Sequence, residues 1–204
     1  MNRFHTTLVF GALIIALGIL ASLPLMFSSW NTGSPINTTE GTIHERVARQ
    51  SIKVPEFDVT VALSSGQAEF SIPAEDGVAY TATGAIAVGD PVIEAPVYGA
   101  NNVVVRKDVL VPLVVNGGGS GSFLYIVRFN DTQQGFVQKD YVFLGDRVQL
   151  DNITVAVAAP IMEKGSEYAI QVSTLDRKPS EPFTAEPTVK VSKVYQVVNN
   201  SFKK

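Results

Sequence analysis

Leu8–Phe27 reads LVFGALIIALGILASLPLMF, an uncharged run in which only Gly11, Gly18, Ser22 and Pro24 fall outside the strongly apolar set. At about 1.5 Å per residue a helix of this length reaches roughly 30 Å, the thickness of a bilayer's hydrocarbon core. A cleaved signal has a shorter apolar region, about 7–15 residues, that ends in a small-x-small site. Here the best small pair, Ala16-Leu17-Gly18, lies inside the run. The expectation is an uncleaved anchor. Arg3 precedes it and the next charge is Glu40. Positive charge stays on the cytoplasmic side, which puts residues 1–7 inside and the rest of the chain outside.

Beyond the anchor about 175 residues remain, enough for one domain with its own core. Sixteen Lys and Arg against nineteen Asp and Glu give a mildly acidic chain with no basic block. Nucleic acid has no electrostatic footprint to meet. There is no cysteine, so neither disulfides nor thiol chemistry enters, and no cofactor is implied. The two histidines, His5 and His44, fall before the anchor and in the expected linker, residues 28–50. The folded part then holds no histidine, which disfavours a Ser-His-Asp triad, a Cys-His pair and a histidine-bearing zinc site.

From Phe57 the apolar period becomes two: Phe57, Val59, Val61 and Leu63 share a face, and Ala68, Phe70 and Ile72 continue one after the Ser64-Ser65-Gly66 reversal. Val78–Val88 is a further β-rich run, broken by Gly84, and Val103–Arg106 reads as a short edge strand. Val109–Val115 (VLVPLVV) is apolar on both faces, as in a doubly buried strand, although Pro112 argues for an edge or a bulge. A glycine loop, Asn116–Gly121, precedes Phe123, Tyr125, Val127 and Phe129 at alternate positions. A strand rather than a helix follows this loop, so it reads as a hairpin connection and not a phosphate cradle.

Val137–Thr154 reads as a hairpin about a type II′ turn at Gly145-Asp146, with glycine supplying the positive φ. Phe143, Tyr141, Val148 and Leu150 then form its core face. Leu144, Val142, Asp140, Arg147, Gln149 and Asp151 form its solvent face. After Asn152 the apolar parity switches to Ile153, Val155 and Val157, which calls for a bulge. Tyr168, Ile170 and Val172 make another strand, and Val189–Val197 a last one, after the proline-rich segment Leu175–Pro187. Residues 199–204 read as a frayed tail. The expected architecture is an all-β domain over residues 51–198, an antiparallel sandwich or partly open barrel, behind one transmembrane helix.

Three segments in order, GGGSGSFLYIV (Gly117–Val127), FLGDRV (Phe143–Val148) and LDRKPSEPFTAEPTVKVSKVY (Leu175–Tyr195), resemble an uncharacterised domain of predicted exported bacterial proteins. The resemblance covers residues 109–197 and implies a bacterial envelope protein, with no activity attached. Members of that group often carry an Asp/Gly-rich, calcium-loop-like run before the first motif. Asp90 and Asp108 are too widely spaced here for an oxygen cage, and no metal site is expected.

The expected function is a non-catalytic binding or interaction module in the cell envelope, with an envelope protein or a cell-wall polymer as partner. Two alternatives stand beside it. One is a structural subunit of an envelope assembly. The other is a histidine-independent hydrolase, a carboxylate-pair glycosidase or a Ser/Lys enzyme using Ser120 or Ser122, for which no lysine is placed. The candidate binding residues are Asp146, Arg147, Asp176, Arg177 and Lys178, the charged centres of the last two motifs. Arginine's planar fork suits a carboxylate or phosphate ligand. The favoured reading is structural: crossed ion pairs, Arg147 to Asp176 or Arg177 to Asp146, tying one chain reversal to the other.

Overall fold

The computed structural model describes residues 41–72, 82–132, 134–157, 166–182 and 184–203. The apolar run Leu8–Phe27 lies outside the described residues, as do residues 28–40 of the expected linker. Among the described residues, no helix is long and apolar enough to cross a membrane. The all-β expectation holds: the described strands pair antiparallel, and the one described α-helix is α1, Ile43–Val47.

That helix corrects the linker at its C-terminal end. Thr42 accepts the Glu45 amide at 3.2 Å while Glu45 accepts the Thr42 amide at 2.9 Å, a reciprocal capping box. The box sets the helix so that Val47 enters the core. Arg46 holds Asp131 at 3.0 Å and lies over the Phe136 ring. Residues 42–50 therefore belong to the folded domain.

Strands β1 (Ser51–Lys53) and β2 (Thr60–Ala62) pair as a small separate sheet. Ser64 and Gln67 bridge across Ser65 and Gly66, both at positive φ, so the expected reversal forms. The chain after it joins a different sheet. β3 (Gln67–Ile72) pairs with β4 (Ala82–Val88), and the larger sheet runs β3-β4-β6-β7-β8. Its long members are β6 (Val104–Asn116), β7 (Phe123–Thr132) and β8 (Gly135–Asp146), while β5 (Ile93–Tyr98) also pairs with β6. The second sheet runs β12-β11-β10-β9, with β9 Gln149–Ala156, β10 Ser166–Asp176, β11 Val189–Val198 and β12 Ser201–Phe202.

β6 and β7 lie in the middle of the larger sheet and are buried on both faces. On one face Val109, Val111, Leu113, Val115, Tyr125, Val127 and Phe129 pack with Val47, Ile52, Val54, Leu63 and Phe70. The opposite face carries Leu110, Leu124, Ile126 and two buried charges, Asp108 and Arg128. The short edge strand expected at Val103–Arg106 is in fact mostly the start of β6.

Pro112 stands inside this interior strand, opposite Ile126, where an edge or a bulge was expected. The strand loses nothing by it. β4 pairs with β6 from Leu113 onward and β5 pairs up to Leu110, so Pro112 faces the gap between them. Its carbonyl points into that gap and accepts the Gly89 amide at 2.8 Å. A residue's N and O lie on the same side of a strand, so no partner waits for the missing N–H.

Gly84 does not break β4; it sits opposite Phe70 in the ladder. A Cβ at Gly84 would lie 2.3 Å from the Phe70 ring, which fills the space the glycine leaves. Phe70 also meets Phe57 edge to face at 5.1 Å. Overpacking a core position of this kind costs about 1–3 kcal/mol. Gly84→Ala should therefore lower the unfolding free energy measured by urea denaturation by that amount, and Gly119→Ala, whose Cβ would meet nothing within 4 Å, should not.

The expected hairpin at Val137–Thr154 does not form. β8 pairs with β7 and β9 with β10, so the chain turns a corner between the sheets at Arg147 and Val148. The positive φ of that corner belongs to Arg147 at 54°, not to Gly145. On β8 the faces are also inverted: Leu144 is 7% exposed, while Tyr141 and Phe143 are 39% and 48% exposed; on β9 Leu150 is buried as expected. The bulge expected near Asn152 is present, because Ser173 pairs Asn152 and Thr174 pairs Leu150, which leaves Asp151 over. The tail is not frayed either. Ser201 and Phe202 form β12, and Phe202 is 6% exposed.

Candidate functional site

The first two motif segments meet at one end of the domain. The glycine loop connects β6 to β7 as a hairpin, and the Asn116 side chain accepts the Gly118 amide at 2.9 Å. Arg147 closes on this loop. Its amide donates to the Ser122 carbonyl at 2.6 Å, and its guanidinium donates to the Ser120 carbonyl at 2.7 and 2.9 Å and to the Ser120 hydroxyl at 2.8 Å. Asp146 accepts the Ser122 amide at 3.0 Å and stands 3.5 Å from the Arg147 guanidinium. Both candidates from the second motif thus clamp the loop of the first.

Gln149, two residues past Arg147, pairs with Leu175, the residue before Asp176. The third motif is therefore a neighbour along the sheet, but the crossed ion pairs are replaced by local bonds. The Asp176 carboxylate accepts the Arg177 amide at 2.7 Å, and its carbonyl accepts the Thr188 amide at 2.8 Å. Lys178 and Glu181 close a turn between them: the Lys178 amide donates to the Glu181 carboxylate at 3.0 Å, and the ammonium lies 3.6 Å from it. Neither of the expected crossed pairs, Arg147 to Asp176 or Arg177 to Asp146, is among these bonds.

The most concentrated chemistry in the described residues lies elsewhere, at Arg128. β7 needs alternate residues for the face toward the second sheet, and Arg128 follows Leu124 and Ile126 on that face. A fully buried guanidinium must have its donors answered. Nε donates to Asp140 at 2.7 Å, Nη1 to Asp108 at 3.0 Å and to the Asn200 side-chain oxygen at 2.9 Å, and Nη2 to the Asn200 carbonyl at 2.6 Å.

The carboxylates are answered as fully. Asp108 accepts from Arg106 at 2.8 Å, Asn130 at 2.5 Å and the Tyr168 hydroxyl at 3.0 Å. Asp140 accepts from the Ser201 hydroxyl at 3.0 Å and the Phe202 amide at 2.7 Å. Arg106 also pairs with Glu167, whose other oxygen accepts the Asn200 amide at 2.9 Å. Arg128, Asp108 and Asp140 thus stitch β6, β7 and β8 to β10 and to the turn before β12.

Burial alone would raise the Asp108 pKa, but hydrogen bonds and charge from Arg106 and Arg128 outweigh it and hold the carboxyl below its ordinary value. Burial alone would likewise lower Arg128, and Asp140 with its hydrogen bond and charge reverses that. Burial, reinforced by the Asp108 charge, pushes the Tyr168 phenol up. The network is a set of hydrogen-bonded ion pairs. Among the described residues, no group of three or more acidic or histidine side chains is placed to hold a metal ion.

Sequence reasoning missed this network. Its one local signal was a charge, Arg128, inside the apolar run FLYIVRFN. Asp140 had been placed on a solvent face because the strand was paired with the wrong neighbour. Asn130, which opens an Asn-x-Thr sequence, is 6% exposed and belongs to the network.

A second feature is aromatic. Phe123, Tyr125, Tyr141 and Phe143 touch in series across β7 and β8, with ring centroids 5.2–6.3 Å apart. The last two rings are half exposed on the edge strand. Comparison with protein-family models, with curated proteins and with solved structures finds no match to this chain.

Two outcomes test the buried network. Arg128→Ala strands two carboxylates and should cost about 3–5 kcal/mol in chemical denaturation. A carboxyl whose folded pKa is depressed contributes stability that is full above its unfolded pKa and lost as pH falls through the folded one. Stability should therefore decline as pH falls below about 4, and Asp108→Asn should flatten that decline.

Proposed function

We propose that this chain is a membrane-anchored, extracytoplasmic β-domain that acts as a non-catalytic binding module in the bacterial cell envelope. The uncharged run Leu8–Phe27, preceded by Arg3, supports the anchor and the orientation. The three motif segments support the envelope setting.

One observation carries the binding reading. Among the described residues, the charged groups of the interior are spent on one another, whereas the larger sheet ends in β8, an edge strand that presents Tyr141 and Phe143 half exposed. Aromatic side chains at an open edge supply large contact area at little conformational cost, which is what recognition uses and acid–base chemistry does not. A structural subunit of an envelope assembly is the second reading. Tyr98, Val103, Val104 and Val105, all exposed at the β5–β6 hairpin, favour it.

Topology is checked with protease on intact spheroplasts. The domain should be digested from outside, leaving a small membrane-held fragment, and a mature N-terminus inside the apolar run would refute the anchor. The binding reading is checked by a photoreactive phenylalanine analogue at position 143 or 98 in intact cells. A discrete crosslinked partner at 143 supports a binding module, a ladder of self-adducts at 98 supports an assembly subunit, and no adduct at either position overturns both.

A further inference from the structure

We propose that the tip of the β5–β6 hairpin, Tyr98–Val105, seats in the surface of the membrane that holds the chain, so that its partner is lipid. The inference rests on the anchored reading above and adds a second, reversible point of membrane contact.

The tip carries no charge. Ala95–Val105 reads APVYGANNVVV, and the charges Glu94 and Arg106 stand just outside it. Asn101 and Asn102, both at positive φ, reverse the chain there, and Tyr98 pairs with Val104 across the hairpin. The last pair between β6 and β7 is Lys107 with Asp131. From Arg106 back to Val104, β6 pairs with β5 alone among the described residues, so the tip runs past the end of the β6–β7 ladder.

Exposure on both faces identifies the occupant. Val103 is extended and Val104 begins β6, so their side chains leave opposite faces, yet they are 59% and 44% exposed. Val105 and Tyr98 are open as well, at 65% and 43%. A flat protein surface laid on one face would leave the other in water. The boundary of a bilayer closes over both at once. Tyr98 suits that boundary, because its ring is apolar and its hydroxyl stays wet. The seat is shallow, since the turn's backbone groups and its two asparagines need hydrogen-bond partners that hydrocarbon lacks.

The tether agrees with this placement. Arg46 of α1 pairs with Asp131, the ladder partner of Lys107, so the chain enters the domain near the hairpin end of β6. Residues 28–40, between the apolar run and the described domain, span at most about 45 Å when extended. A domain kept that close meets the bilayer at high effective concentration, and a weak contact is populated. The flanking charges answer each other: Lys107 lies 3.5 Å from Glu94, and Arg106 is taken by Asp108 and Glu167. The contact is therefore apolar and should survive high salt.

The chain has no cysteine, so one introduced thiol reports one position. Full-length Val103→Cys protein carrying an NBD label is reconstituted in vesicles of phosphatidylethanolamine and phosphatidylglycerol. Lipids bearing a nitroxide high on the acyl chain should remove about half of the emission or more, as expected for a seat at the headgroup boundary. Nitroxides near the chain end should remove much less, and molar salt should change neither result. The same label on Thr154→Cys, exposed on β9, should keep its emission. Val104→Asp together with Val105→Asp should abolish the quenching at 103.

No quenching at 103, equal quenching at 154, or indifference to the two aspartates overturns the proposal. So does emission at 103 that changes with the protein-to-lipid ratio and not with the nitroxide, since a second copy then covers the hairpin. Protein that leaves the vesicles in alkaline carbonate overturns the anchored reading and this inference with it. Retained protein with an unquenched hairpin overturns the inference alone.

Discussion

A guanidinium with no exposed surface sets the terms for this domain. Arg128 sits in the middle of β7, among residues that would otherwise make a plain apolar strand. A charge moved from water to an interior is costly unless its partners are close and every donor is answered. Asp108, Asp140 and Asn200 answer four of its five N–H donors, and they come from β6, from β8 and from the turn before β12. The two sheets cannot slide over one another without breaking several of these bonds at once. Apolar contacts are non-directional and tolerate such a slip, so the network's role is to define position more than to add net stability.

The same demand explains why the last residues of the chain are ordered. Asn199 and Asn200 both take positive φ, at 50° and 59°, which asparagine tolerates better than most residues. The turn they form offers Arg128 a carbonyl and a side-chain oxygen and offers Glu167 an amide. With the turn pinned, Ser201 and Phe202 fall beside Asp140. A two-residue strand would not hold by its own ladder. It holds because charged groups from the other sheet take its donors.

The domain treats its free edges differently. β11 carries Lys190 and Lys193, both exposed, and long charged side chains discourage strands from adding to an edge. β8 has bulges around a short regular stretch that bears two half-exposed rings. The first device repels a partner. The second interrupts the ladder that a neighbouring strand would need.

The sequence by itself determined the secondary structure and several local devices. Period-two apolar runs gave the strands, Ser65-Gly66 gave a tight reversal, and the parity switch after Asn152 gave the bulge. These follow from contacts within a few residues, which one chain segment fixes alone. Tertiary structure decided which strand pairs with which. Val137–Thr154 has a self-consistent hairpin register, yet in the folded domain β8 pairs with β7 and β9 with β10. The choice of neighbour inverted the buried face of β8, exposed Tyr141 and Phe143 and turned Asp140 toward Arg128. A strand's alternation says that it has two faces. Which of them is buried, and whether a charge on it is a surface group or the centre of the interior, depends on residues far away in the chain that only the packed sheets bring near.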